Sequence, residues 1–228
     1  IHLCTGAEGE LRMVTLGAAD PETGEQSIAL REVFARDEPL VSCPVPVGDP
    51  QHHVTFNQSN TAEIMTNGDQ RVYFWGSQLP MANEFKYYSP PLSQKDFKQA
   101  IGRFTQSVFI PGTTQALTGT EDGDVVVWEQ QGISAEIGTR ATDRRAIKLL
   151  RVHHSPALAV TTWGPYVVTG SGDGNVRFFD QQMRLMAWFE DIEAGGVNSI
   201  SFSSVMPDYG HGSEESEAIQ FRVPFFVV

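Results

Sequence analysis

Thr118-Gly119-Thr120-Glu121-Asp122-Gly123-Asp124-Val125-Val126-Val127-Trp128 reads as a strand end, a tight turn and a second strand. Asp-Gly tolerates the positive φ that short hairpins need, and β-branched and aromatic side chains suit a pleated, buried surface. The same form stands, without a gap, at Met65-Thr66-Asn67-Gly68-Asp69-Gln70-Arg71-Val72-Tyr73-Phe74-Trp75 and at Thr169-Gly170-Ser171-Gly172-Asp173-Gly174-Asn175-Val176-Arg177-Phe178-Phe179. The turn acids Asp69, Asp122 and Asp173 are 53 and 51 residues apart. Recurrence at a fixed period marks a repeat architecture. The acids are therefore structural turn residues, and Trp75, Trp128 and Phe179 are the structural aromatics that close each unit.

Working outward, each turn is preceded by a strand-like run, at 53–57, 107–110 and 158–162, and followed by another, at 84–88, 145–152 and 184–189. Each repeat thus supplies four strands. Four antiparallel strands recurring every ~40–45 residues make a propeller blade whose apolar faces are buried by its neighbours. The longer period here implies insertions. The fold class is an all-β propeller portion with about three complete blades and flanking half-blades. Residues 1–50 are expected to hold a preceding partial blade and linker, with 27–34 as its outer strand and Gly9 where the turn acid should be. Residues 51–204 hold three blades and the first strand of the next, and 205–228 an acidic loop and the second strand of a truncated blade.

The chain of 228 residues carries 16 Lys+Arg against 28 Asp+Glu, a net charge of −12. Such a field repels a phosphate backbone or an anionic membrane surface, so neither nucleic acid nor membrane is an expected partner. Two cysteines, Cys4 and Cys43, are too few for a disulfide framework or a thiolate zinc site. No apolar run approaches the ~20 residues of a membrane helix, and the first residues lack the basic and apolar regions of a signal peptide. The expectation is an intracellular chain cut from something longer.

The three units resemble WD repeats over residues 50–204, with departures. Gly76 follows Trp75, Glu129 follows Trp128, and Phe179 replaces the tryptophan while Asp180 keeps the acid. In that family a His, a Ser/Thr, the turn Asp and the Trp form a hydrogen-bond network in each blade. The resemblance implies that His53 or His154, with Asp69 or Asp173, partly reproduces it. Phe179 cannot donate the bond of an indole N–H. A closer resemblance lies in the insertions, where Asn83-Glu84-Phe85-Lys86-Tyr87-Tyr88-Ser89-Pro90-Pro91, Ile101-Gly102-Arg103-Phe104-Thr105-Gln106-Ser107-Val108-Phe109 and Thr114-Gln115-Ala116-Leu117-Thr118 look like cilia- and flagella-associated WD-repeat proteins. Tyr166-Val167-Val168-Thr169-Gly170 and Ser199-Ile200-Ser201-Phe202-Ser203 continue the similarity in the same order. That family sits at the base of a radial spoke, in the calmodulin- and spoke-associated complex of motile axonemes. The resemblance implies a non-catalytic scaffold in the cytoskeleton of the cilium or flagellum, with axonemal proteins of that complex as partners. The rival readings are a generic adaptor of a ubiquitin-ligase or trafficking complex, and an enzyme with a site in the propeller channel.

Individual motifs support surfaces over chemistry. Gly170-Ser171-Gly172-Asp173-Gly174 lacks the lysine and helix of a phosphate loop. Counting from Asp122, position twelve of a calcium loop is Ile133 rather than glutamate. Adjacent histidines at 52–53 and 153–154 point to opposite faces of a strand. No catalytic residue, metal ligand or cofactor is assigned. The candidate partner-binding residues are Phe85, Tyr87, Tyr88 and Phe97, because aromatics dominate interface energetics. Phe85 and Tyr87 share one face of a strand and Tyr88 takes the other. Ser93 and Asp96 have capping-box spacing, and Gly102 can end a helix, so a helix is expected over 94–101 with Phe97 and Ile101 on one face. Residues 208–217 read as a solvated loop in which Ser213 and Ser216 are candidate phosphorylation sites.

Overall fold

The computed structural model describes residues 1–6, 9–34, 38–77, 85–92, 97, 99–132, 143–190, 192–203 and 221–228. The segments carrying Ser213, Ser216 and most of the expected helix lie outside them. Among the described residues the chain forms four four-stranded antiparallel sheets and one two-stranded sheet. The first blade is β1 (His2–Thr5), β2 (Leu11–Leu16), β3 (Gln26–Glu32) and β4 (Val41–Val45). The second is β5 (His53–Asn57), β6 (Asn60–Asn67), β7 (Val72–Ser77) and β8 (Phe85–Tyr88). The third is β9 (Phe104–Phe109), β10 (Gln115–Thr120), β11 (Asp124–Gln130) and β12 (Arg144–Arg151). The fourth is β13 (Ala157–Trp163), β14 (Tyr166–Ser171), β15 (Val176–Phe179) and β16 (Leu185–Phe189). A last pair joins β17 (Ser201–Phe202) to β18 (Phe226–Val227). Each sheet follows chain order, and the first strands β5, β9 and β13 lie side by side. This is part of a β-propeller.

Two expectations are corrected. The first blade's outer strand is Val41–Val45, and the run at 27–34 is instead its third strand, paired on both sides. The helix over 94–101 does not reach its expected end. Phe97 is helical, but residues 99–103 are not, because the chain is already drawn into sheet contacts: Phe104 N–H donates to Asp69 C=O and Glu121 N–H to Arg103 C=O.

The apolar faces of successive blades form one core per gap. Ile28, Leu30, Val54, Tyr73 and Trp75 fill the first gap, and Phe74, Phe104, Phe109 and Trp128 the second. Val125, Val127, Val160, Val167 and Phe179 fill the third. In the second gap Phe74 and Phe104 meet the Trp128 ring edge-on at 6.1 and 6.3 Å, a favoured aromatic geometry.

A buried cation bridges the same gap. Arg144, 2% exposed at its side chain, pairs with Glu63 of the second blade at 2.9 Å. It donates to Thr114 C=O and lies over Phe74 and Phe109 at 5.1 and 5.3 Å. Truncation leaves the Glu63 charge unpaired in the gap, which costs about 3–5 kcal/mol for a buried pair. Arg144→Ala is therefore expected to lower the urea midpoint of the full-length protein strongly, whereas Arg144→Met with Glu63→Leu restores most of it. Equal midpoints for wild type and Arg144→Ala would show that the pair contributes nothing. At Gly119, an added Cβ would stand 2.9 Å from Val160 Cγ2 and 3.0 Å from Ala157 C=O. Gly119→Ala is expected to destabilise by about 1–3 kcal/mol through overpacking, read in the same denaturation experiment.

Candidate functional site

The three turns are not equivalent. In the third and fourth blades, five residues separate the last paired positions, Gly119 with Val125 and Gly170 with Val176. In the second, four separate Asn67 from Val72. The gapless alignment of the three hairpins is thus corrected by one residue, and Thr66, Thr118 and Thr169 occupy matching places. Glycines at positive φ, Gly123 and Gly174, complete the two longer turns. In the shorter one Asp49 arrives from the preceding loop and its carboxylate accepts from the Gln70 and Arg71 N–H groups at 3.1 and 2.7 Å.

That shift gives the three turn acids different surroundings. Asp69 faces solvent and pairs with His52 at 3.3 Å and Arg103 at 3.7 Å. Asp122 lies against Gly102, and its C=O accepts from Arg151. Asp173 accepts from the Ser171 hydroxyl, which holds its carboxyl below the usual range against the opposing effect of burial.

The buried networks run from one blade back to the one before it. Trp75 Nε1–H donates to Thr66 Oγ1 at 3.0 Å, and Thr66 donates to Gln51 Oε1 at 2.8 Å. The backbone of Gln51 is held by Gln26 of the first blade. Trp128 Nε1–H donates to Thr118 Oγ1 at 2.9 Å. Thr118 meets Ser107 Oγ at 2.8 Å, and Ser107 donates to Asn67 of the second blade at 2.7 Å. Since each hydroxyl has one proton, that proton order is set: indole to Thr118, Thr118 to Ser107, Ser107 to Asn67. In the fourth blade Phe179 offers no donor, and Thr169 bonds His153 Nε2 at 2.8 Å, while the backbone N–H of His153 donates to Gly123 C=O. The expected His53 and His154 are thus replaced in these roles. His52 meets Asp69, His153 meets Thr169, and His53 meets Ser107 C=O at 2.9 Å.

The candidate partner residues separate. Phe85 is 6% exposed and packs edge-on against Trp75 in the first gap, so it serves the core and is corrected as a contact residue. Tyr87 shares its face, touching Tyr73 and Trp75, but remains 48% exposed. Tyr88 and Phe97 are half-buried. Leu185 and Trp188 on β16, 46% and 57% exposed, were not singled out from the sequence. In the sequence Leu185-Met186-Ala187-Trp188-Phe189 reads simply as an apolar strand, with Leu185 and Trp188 on opposite faces.

A cavity of about 680 Å³ lies between the first two blades, lined by His2, Gln51, His52, His53 and Asp69 among others. Burial pushes His53 down to about 4, so it is a neutral imidazole near pH 7. Among the described residues no three His, Cys, Asp or Glu are placed to hold a metal ion, and no helix is long and apolar enough to cross a membrane.

The model of the CFAP251 N-terminal domain matches residues 7–228. The chain is similar to cilia- and flagella-associated protein 251 of Chlamydomonas reinhardtii, 50% identical over 95% of this chain and 28% of that protein. It is also similar to that of Tetrahymena thermophila, 33% identical over 86% of this chain and 20% of the relative. The chain therefore spans about a quarter of the length of these relatives. Among solved structures, the crystal structure of Sqt1 from Chaetomium thermophilum superposes with a TM-score of 0.60 over 88% of this chain and 52% of that one, at 14% identity.

The His153 imidazole is held down to about 4 from an ordinary 6.5, first by burial and then by the Arg177 guanidinium, with Asp173 opposing. The unfolded chain takes up this proton more readily than the folded one. Stability from this group is thus complete above about pH 6.5 and is lost as pH falls toward 4, by at most about 3 kcal/mol. His153→Gln can bond Thr169 as Gln51 bonds Thr66. It should fold and show a shallower fall of melting temperature between those pH values. Parallel curves would remove His153 as a source of acid sensitivity.

Proposed function

The chain belongs to the CFAP251 N-terminal domain family and is a protein of cilia and flagella, and from that premise we propose that it is a non-catalytic scaffold at the base of a radial spoke. Its partners in this reading are axonemal proteins of the calmodulin- and spoke-associated complex. The observation that carries the proposal is the contrast between interior and rim. Every described blade gap is filled by apolar side chains and tied by buried hydrogen bonds, which makes a stiff frame, while aromatic side chains of the outer strands remain accessible. Rigid frames that present loops and edges bind by shape and anchoring side chains.

Tyr87 is the anchor this reading favours, because Tyr73 and Trp75 fix its ring before any partner arrives and little rotamer freedom is left to lose. Tyr88, on the other face of the strand, and Phe97 are the further contact residues of this reading.

Tyr87→Ala with Tyr88→Ala in a motile ciliated cell should leave the protein folded and abundant, since Tyr87 is half exposed. Proximity labelling from the full-length protein should then lose axonemal neighbours by about tenfold or more, the effect of removing an anchor. Unchanged labelling removes this patch from the reading. Labelling dominated by ubiquitin-ligase or trafficking components in the wild type would replace the scaffold by an adaptor.

A further inference from the structure

In a chain of net charge −12, four of the 16 lysines and arginines fall on the eight residues of β12, Arg144-Arg145-Ala146-Ile147-Lys148-Leu149-Leu150-Arg151. Two are engaged, Arg144 with Glu63 and Arg151 with Asp124. Arg145 and Lys148 are exposed and form no ion pair among the described residues. Three residues apart, they belong on opposite faces of a regular strand. The register slips between Val127 and Trp128, leaving Ile147 as the extra residue, so Arg145 lies opposite Glu129 and Lys148 opposite Val127. The bulge therefore turns both cations to the face that looks toward the fourth blade, where Val127 and Val125 are packed.

A second bulge shapes the facing wall. Register slips between Phe178 and Phe179, which sets Leu185 opposite Phe179 and Trp188 opposite Arg177. Phe179 belongs to the same core as Val125 and Val127, and Arg177 reaches back to donate to Val152 C=O, so this face looks toward the third blade. Leu185 and Trp188 thus face the third blade from β16 as Arg145 and Lys148 face the fourth from β12, and half-buried Ile147, Leu150 and Met183 pack on the core between these two blades.

We propose that this rim cleft between β12 and β16 is a docking groove for an extended acidic polypeptide segment carrying an apolar anchor. Charge chooses the occupant. On the strands of these two blades, the acidic residues are Asp124, bound to Arg151 on the opposite face, and Glu129, held by the hydroxyl of Thr114 and the amide of Gln115. Arg145 and Lys148 are left to face an outside carboxylate. Trp188 and Leu185 offer the apolar contact that aligns the segment, and among the described residues the outer strands β12 and β16 are each paired along one edge only, so the backbone groups of the other edge can accept an added strand. A nucleic acid does not fit this chemistry, because two cations cannot offset the repulsion of the whole chain for phosphate. The inference goes beyond the scaffold reading and does not depend on which ciliary complex holds the protein.

The test uses the full-length protein and a labelled synthetic peptide alternating glutamate with leucine, followed by fluorescence anisotropy. Binding should weaken with added salt, as exposed charge pairs are screened. It should fall by about tenfold in Arg145→Glu with Lys148→Glu, fall again in Trp188→Ala, and stay unchanged in Arg103→Glu, which removes an exposed cation of another surface. The substituted side chains are exposed, so folding is preserved, and circular dichroism checks it. Equal affinity in the charge-reversed protein, equal loss in Arg103→Glu, or equal binding of a lysine–leucine peptide overturns the proposal. So does sedimentation showing a dimer that dissolves in Trp188→Ala, because the groove would then be filled by a second copy.

Discussion

The structure depends on one recurring constraint: the buried threonine of each repeated blade must be tied back to the blade before it. Thr66, Thr118 and Thr169 sit where two sheets converge, in a space closed to water, and a hydroxyl there needs partners. The ties use different atoms. Thr66 reaches Gln51, whose backbone Gln26 clamps; Thr118 passes through Ser107 to Asn67; Thr169 meets the ring of His153, whose backbone N–H is bound to Gly123 C=O. Each tie fixes the angle between neighbouring sheets, and the apolar cores then fill the set gap.

Close approach of the sheets follows from the same constraint. The residue after each threonine meets the next unit, and it is Asn67, Gly119 or Gly170. At Gly170 a side chain would run into Val197. Asn67 fits because its amide joins the contact, donating to Thr105 C=O and accepting from Ser107. A small or a hydrogen-bonded residue satisfies the position, and a bulky apolar one does not.

Stiffness inside and accessibility outside have a common origin. Inner strands crowd together near the axis, so the buried polar groups concentrate there. The outer strands diverge, so Arg144 can still bridge a gap from β12 to Glu63, while Tyr87, Leu185 and Trp188 are left at the rim. Surface chemistry in this protein is therefore a matter of which face an outer-strand residue turns to, and the bulges at Ile147 on β12 and between Leu185 and Ala187 on β16 set that.

The propeller architecture was legible in the amino-acid order alone, because hairpin turns and alternating strands are local and repeat: the four-strand units, their turns and their closing aromatics follow from residues a few positions apart. The family resemblance in the insertions was legible there too. Tertiary structure decided the rest. Only the sheet register shows that the second turn is one residue shorter, which puts Asp49 where a turn acid was expected and leaves Asp69 facing solvent. Only the packing of adjacent blades shows that Phe85 is core, that His153 and Gln51 share a role, and that Arg145 and Lys148 share a wall. These properties depend on residues far apart in the chain meeting across a gap, and a one-residue slip, invisible in composition or period, reverses the face of every side chain beyond it.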